Sequence, residues 1–243
     1  MLSLALSRRA AAQPRILLLG LLITLALAVA GCGGSSSSGN GVSSKSPADI
    51  LAASKAAAQS ASAVHVAGAL SSGGTPLTLN LDLVSGKGGR GQVSESGLSF
   101  ELLVIDETVY IKGSPAFYSH FGGAAATQLF QGKWLRAPIA GGELASLASL
   151  TDFGHLLDQA LTGHGTLAKG ANTNIAGQPV IELRDTGRQG SLYVATTGKP
   201  YPVEVVKHGS ETGRISFSRW NQPISLAAPA GAIDLSQLQH SGH

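Results

Sequence analysis

The chain has 243 residues, with 17 Lys and Arg, 14 Asp and Glu, and one cysteine, Cys32. A lone cysteine excludes an internal disulfide and any Cys-based metal site. Three of the bases (Arg8, Arg9 and Arg15) precede residue 32, where no acid occurs, so the 14 remaining bases balance 14 acids; with no basic excess to follow a phosphate backbone, a nucleic-acid partner is set aside.

Those three Arg precede an uncharged run from Ile16 to Ala28, which ends in Val29-Ala30-Gly31-Cys32. Basic, apolar and small-residue segments in that order are an export signal. The last four residues resemble the lipobox of bacterial lipoproteins, which implies that Cys32 is lipidated and becomes the first mature residue. A spanning helix needs about 20 apolar residues, whereas Ile16 to Gly31 supplies 16 and leads into Gly33-Gly34-Ser35-Ser36. Residues 1–31 are therefore expected to be a lipoprotein signal peptide and residues 32–45 a flexible Gly/Ser-rich tether. The domain, residues 46–240, is then exported and held through acylated Cys32 at the outer face of the membrane.

Ser46-Pro47-Ala48-Asp49 is a helix start: a cap, Pro at the first position and an early acid. The helix over Ile50 to Ser62 is rich in Ala, with a narrow stripe of Ile50, Leu51, Ala57, Ala58 and Ala61. From Ala63 the period becomes two, and strands are expected over 64–70, 76–85, 90–96, 98–105 and 108–112, the last two a hairpin joined at Asp106-Glu107. In the second, Leu77, Leu79, Leu81 and Leu83 share one face. Short turns between successive strands imply an antiparallel meander.

Tyr110-Ile111-Lys112-Gly113, the aromatic segment from Pro115 to Phe121, and Gly132-Lys133-Trp134-Leu135-Arg136-Ala137-Pro138 resemble the middle of the LppX/LprG-type lipoproteins of high-GC Gram-positive bacteria. They are similar, more distantly, to LolA-like periplasmic carriers. The resemblance implies an α+β fold: a strongly curved antiparallel half-barrel with helices over its concave face and an apolar cavity between. Pro115 to Phe130 reads as a long apolar connection lying over a groove or a partner. Its aromatics and their neighbours (Tyr110, Phe117, Tyr118, Phe121, Phe130 and Trp134) serve as core or rim packing in most domains.

Two short amphipathic helices follow, Glu143 to Leu150 and a second carrying Phe153, Leu156, Leu157, Ala160 and Leu161 at helical spacing. In the families named, such helices form the cavity's lid. Strands are expected again at 166–172, 178–185, 190–195, 202–206 and 214–220, which brings the count to about ten. Tyr201 to Val205 and Ile215 to Ile224 resemble the closing strands of the same families.

Catalytic patterns are missing from the sequence. There is no Gly-x-Ser-x-Gly elbow and no phosphate loop, and none of the seven His stands in an HExxH spacing. The reading is a non-enzymatic, cofactor-free, monomeric carrier that binds an acylated lipid or glycolipid and moves it within the cell envelope. Leu79, Leu81, Leu103, Leu147, Phe153 and Leu157 are expected to line its cavity. The competing reading is a surface lipoprotein that senses or scaffolds an envelope protein, with Pro115 to Phe130 as its contact surface.

Overall fold

The computed structural model describes residues 39–140, 144–209 and 211–240; the expected signal segment and Cys32 lie outside them. In chain order the elements are α1 (Pro47–Gln59), β1 (Ala63–Ser72), β2 (Thr75–Val84), β3 (Gly88–Glu95), β4 (Leu98–Ile105), β5 (Thr108–Gly113), α2 (Pro115–Phe130) and β6 (Leu135–Pro138). They continue with α3 (Ala145–Ala148), α4 (Phe153–Thr162), β7 (Leu167–Ile175), β8 (Gln178–Asp185), β9 (Gly190–Ala195), β10 (Pro202–Lys207), β11 (Glu211–Ser218), β12 (Ile233–Asp234) and α5 (Leu235–His240).

The twelve strands make one sheet in the order β12-β6-β5-β4-β3-β2-β1-β11-β10-β9-β8-β7. Every neighbouring pair is antiparallel except β12, which runs parallel to β6. The end strands β12 and β7 do not pair, so the curved sheet is an open half-barrel of α+β class. Close approach between strands explains one of its glycines. At Gly91, with φ 156°, a Cβ would sit 2.0 Å from the carbonyl oxygen of Asn80 on β2, so a side chain there would force the two strands apart.

Helices cover the concave face because the register puts the apolar rows there. Leu79, Leu81 and Leu83 join Val64 and Val66 of β1, Phe100, Leu102 and Val104 of β4, and Phe153 and Leu157 of α4 in one packed cluster. The chain between β6 and β7 carries α3 and α4 from one half of the sheet to the opposite edge. α4 hides Phe153, Leu157 and Leu161, each worth about 1.5–3 kcal/mol on burial. Ser46 caps α1 by accepting from the Asp49 N–H at 3.2 Å. Ile50, Ala57 and Ala58 of α1 are buried, and its small side chains let it lie close to the strands.

Four expectations change. First, the folded unit begins before Ser46. The Asn40 N–H donates to the Thr196 carbonyl at 2.8 Å, its side chain donates to the Ala195 and Gly198 carbonyls, and Val42 is buried beside Ile50, Ile181, Leu183 and Val194. A Gly/Ser-rich composition hid one buried Val and one well-placed Asn. Second, Pro115 to Phe130 is helix, not an irregular connection. Ser114 caps it by accepting from the Phe117 N–H, and Gly123 (φ 67°, ψ −163°) kinks it, which erases a steady apolar period. Third, the strands among the described residues number twelve rather than about ten, because β6 and β12 are too short to show alternation. Fourth, residues 235–240, for which no element was expected, form a helix.

Candidate functional site

One line of paired residues crosses the concave floor from β8 to β5. It runs Leu183, Leu192, Val205, Ile215, Gly68, Leu79, Val93, Phe100 and Gly113. On the β1 to β5 side the floor is filled: α2 brings Phe117 to 5.3 Å from Phe100, and α4 packs on Leu79 and its neighbours. On the β8 to β10 side it is open. There a cavity of about 550 Å³ has Leu183, Leu192 and Val205 as its floor, with Leu51 of α1, Leu161 of α4 and Leu167 of β7 around it. That volume is within the roughly 300–1,000 Å³ of small-molecule sites.

The mouth is polar and lies at the strand end formed by the β8–β9 and β10–β11 turns. His164, Asp185, Arg188, Lys207, His208 and Glu211 surround it. Asp185 knots this rim together, with Oδ2 accepting from the Gly165 N–H at 2.8 Å and Oδ1 from the N–H groups of Gly187 and Arg188 at 2.9 and 3.0 Å. Burial pulls the Asp185 carboxyl upward most strongly of the single influences, but the three N–H donors and the Arg188 charge together hold it below its ordinary value. Lys207 donates to Glu211 at 2.5 Å and lowers that carboxyl as well. The mouth thus sets two cations against two carboxylates around an apolar interior.

A second apolar groove, about 600 Å³, opens on the outer side of α1 and α4 and shares Leu51, Leu161, His164 and Leu167 with the cavity. One layer of side chains separates the two. Lys55 of α1 and Asp158 of α4, 2.5 Å apart, tie the helices beside it. A third space of about 1,020 Å³ lies at the opposite strand end, among the Gly86–Gly88 and Asp106–Glu107 turns, Phe153 and the chain at Ile224–Leu226. Among the described residues no group of three His, Cys, Asp or Glu could hold a metal ion.

The residues expected to line a cavity divide. Leu79, Leu81 and Leu157 are buried in the packed cluster and Leu147 is half-buried against it; none of the four borders the 550 Å³ cavity. Phe153 belongs to the same cluster and walls the 1,020 Å³ space. Leu103 points to the other side of the sheet. It pairs with Arg90 and Tyr110 and borders a convex-face groove with Trp134 and Pro229. In a strand reading LSFELLVI, consecutive leucines 102 and 103 must face opposite ways, and Leu102 is the inward one. The sequence reading missed Leu51, Leu167, Leu183, Leu192 and Val205 as cavity residues. Their signal was their neighbours: Gly187 and Gly190 at the mouth bring no side chain to fill the space, and α1 gives its wall Leu51.

No protein-family model matches the chain, and no curated protein matches its sequence. Among solved structures, LprF from Mycobacterium bovis superposes with a TM-score of 0.56, covering 76% of this chain and 97% of its own, at 16% identity. The chain has the LprF fold. The expected open, curved half-barrel is therefore the observed fold. LppX from Mycobacterium tuberculosis aligns over 74% of this chain and 99% of its own at 16% identity, with a TM-score of 0.47. A LolA superfamily protein from Nitrosomonas europaea aligns at 11% identity over 74% and 95%, with a TM-score of 0.24. Within the LprF fold, this chain places its 550 Å³ cavity between α1, the end of α4 and strands β8 to β10.

Proposed function

We propose that this domain binds an acyl chain of a lipid or glycolipid in the 550 Å³ cavity and carries it within the cell envelope, without covalent chemistry. The observation that carries the reading is an apolar floor of Leu183, Leu192 and Val205, walled by Leu51, Leu161 and Leu167, beneath a mouth ringed with charges. Such a site removes a hydrocarbon chain from water at about 25 cal/mol per Å² and leaves the polar head at Arg188, Lys207 and Asp185. The outer groove beside Leu51 and Leu161 offers a lateral way in when α1 and α4 part. In the full chain, residues 1–31 direct export and acylated Cys32 holds the domain at the membrane, as a monomer.

Native mass spectrometry of residues 37–243, which form one compact unit, tests the reading. The domain purified from a bacterial envelope is expected to carry an acyl lipid in one-to-one ratio. The variant Leu51→Trp fills the cavity from its α1 side and is expected to lose that adduct while keeping its fold. A wild-type domain that stays free of adduct after incubation with phospholipid, glycolipid and free fatty acid would remove the proposal.

A further inference from the structure

α2 carries the apolar side chains that this domain leaves in water. Phe121 is 69% and Leu129 50% exposed, and they are the exposed large hydrophobics among the described residues. The helix reads PAFYSHFGGAAATQLF, without a carboxylate or a permanent cation. From Thr108 to Gly142 the chain contains Lys112, Lys133 and Arg136 and no acid at all. Exposed apolar surface of this kind marks an interaction site.

Its geometry is that of a rooted wedge. At the base, the Tyr118 hydroxyl accepts from the Gly113 N–H at 2.8 Å and donates to the Lys133 carbonyl. Phe117 packs on Phe100 and Phe130 on Tyr118. The left-handed Gly123 folds the helix into two arms, and Thr127 Oγ1 donates to the Gly123 carbonyl at 3.1 Å across the bend. The apex, Phe121 to Ala125, is uncharged and exposed. Trp134 and exposed Lys133 sit beside the base, the residue pair that lines membrane–water interfaces. Because α2 joins the end of β5 to the start of β6, it stands at the same strand end as the β8–β9 and β10–β11 turns that frame the cavity mouth.

We propose that α2 docks this domain on a lipid bilayer, with Phe121 and Leu129 entering the acyl boundary and Lys133 facing anionic head groups. A bilayer fits better than a protein because Gly122, Gly123 and Ala124 to Ala126 present no polar pattern for a protein to read. Of the flanking cations Lys112 is paired with Glu101 and Arg136 with Asp234, so exposed Lys133 is the one offered to an anionic lipid surface. The docking rests on residues separate from the cavity, and it brings the mouth to the source or sink of an acyl chain.

The test is co-sedimentation of residues 37–243 with phosphatidylcholine vesicles containing about a quarter phosphatidylglycerol. Wild type is expected to bind, Phe121→Ser with Leu129→Ser to bind at least about tenfold more weakly, and Phe121→Trp to bind like wild type. Both sites are exposed, so thermal melts should be unchanged. The double variant should keep the lipid adduct in native mass spectra, while Leu51→Trp should lose the adduct and still bind vesicles; failure of the cavity reading and failure of the wedge are thereby told apart. A wild type that does not sediment with vesicles, or a double variant that sediments equally well, overturns the wedge. So does a photo-crosslinker at position 121 that captures one protein in cells and no lipid.

Discussion

Asp185 shows how one side chain can shape the mouth. Its two oxygens accept from three backbone N–H groups on both sides of the rim, and its folded pKa lies below the ordinary carboxylate value. A depressed folded pKa stabilises the protein at neutral pH. That contribution is lost as pH falls through the carboxylate range, below about pH 4. In thermal melts across pH, Asp185→Asn is expected to be less stable than wild type at pH 7, with the gap closing as the medium becomes acid. A gap that stays constant with pH would mean that the carboxylate charge is not what holds the rim. From the sequence, Asp185 was only the last residue of QPVIELRD; nothing there told that one of its three partners, Gly165, lies twenty residues earlier, just after α4.

At the scale of the element, α2 depends on Tyr118. Removing its hydroxyl leaves the buried Gly113 N–H without its acceptor, at a cost of about 1–3 kcal/mol. Tyr118→Phe is therefore expected to lower stability by that amount in denaturant melts and to raise amide exchange across Pro115 to Phe130. Unchanged exchange there would show that Phe117 and Phe130 root the helix by themselves. This helix also marks where pattern reading stopped. The cap and first turn at Ser114 and Pro115 went unread as a helix start, and paired glycines and a run of Ala flattened the amphipathic signal, because the arms turn different faces inward. α1 and α4 were legible, since each packs one uninterrupted stripe on the sheet.

For the whole molecule, occupancy of the cavity should appear as stability. A ligand present at a hundred times its Kd adds about 2.7 kcal/mol, which in a domain of this size raises Tm by about 5–10 °C. Delipidated protein is expected to regain that increment when lipid is added, and Leu51→Trp to show none. Alternation in β2 and short turns between strands made an antiparallel meander legible, and the half-barrel came from the family resemblance of the Tyr110 to Pro138 segment. Whether its floor was covered or open was not legible. Leu79 and Leu183 belong to one line of paired residues with the same chemistry, and only what arrives from above distinguishes them: Phe153 and Leu157 in the packed cluster with Leu79, and Ile50 and Val42 against Leu183 beside the gap walled by Leu51, Leu161 and Leu167.

The grip on Asn40 also sets a leash. Eight peptide units separate Cys32 from Asn40, about 28 Å when taut and roughly 16 Å as a random coil. The fastening point is the β9–β10 turn, at the strand end away from α2 and the mouth; β8 alone, with eight residues, is about 26 Å long. With Cys32 acylated as proposed, the length of this tether becomes a measurable condition for the mouth to meet a bilayer.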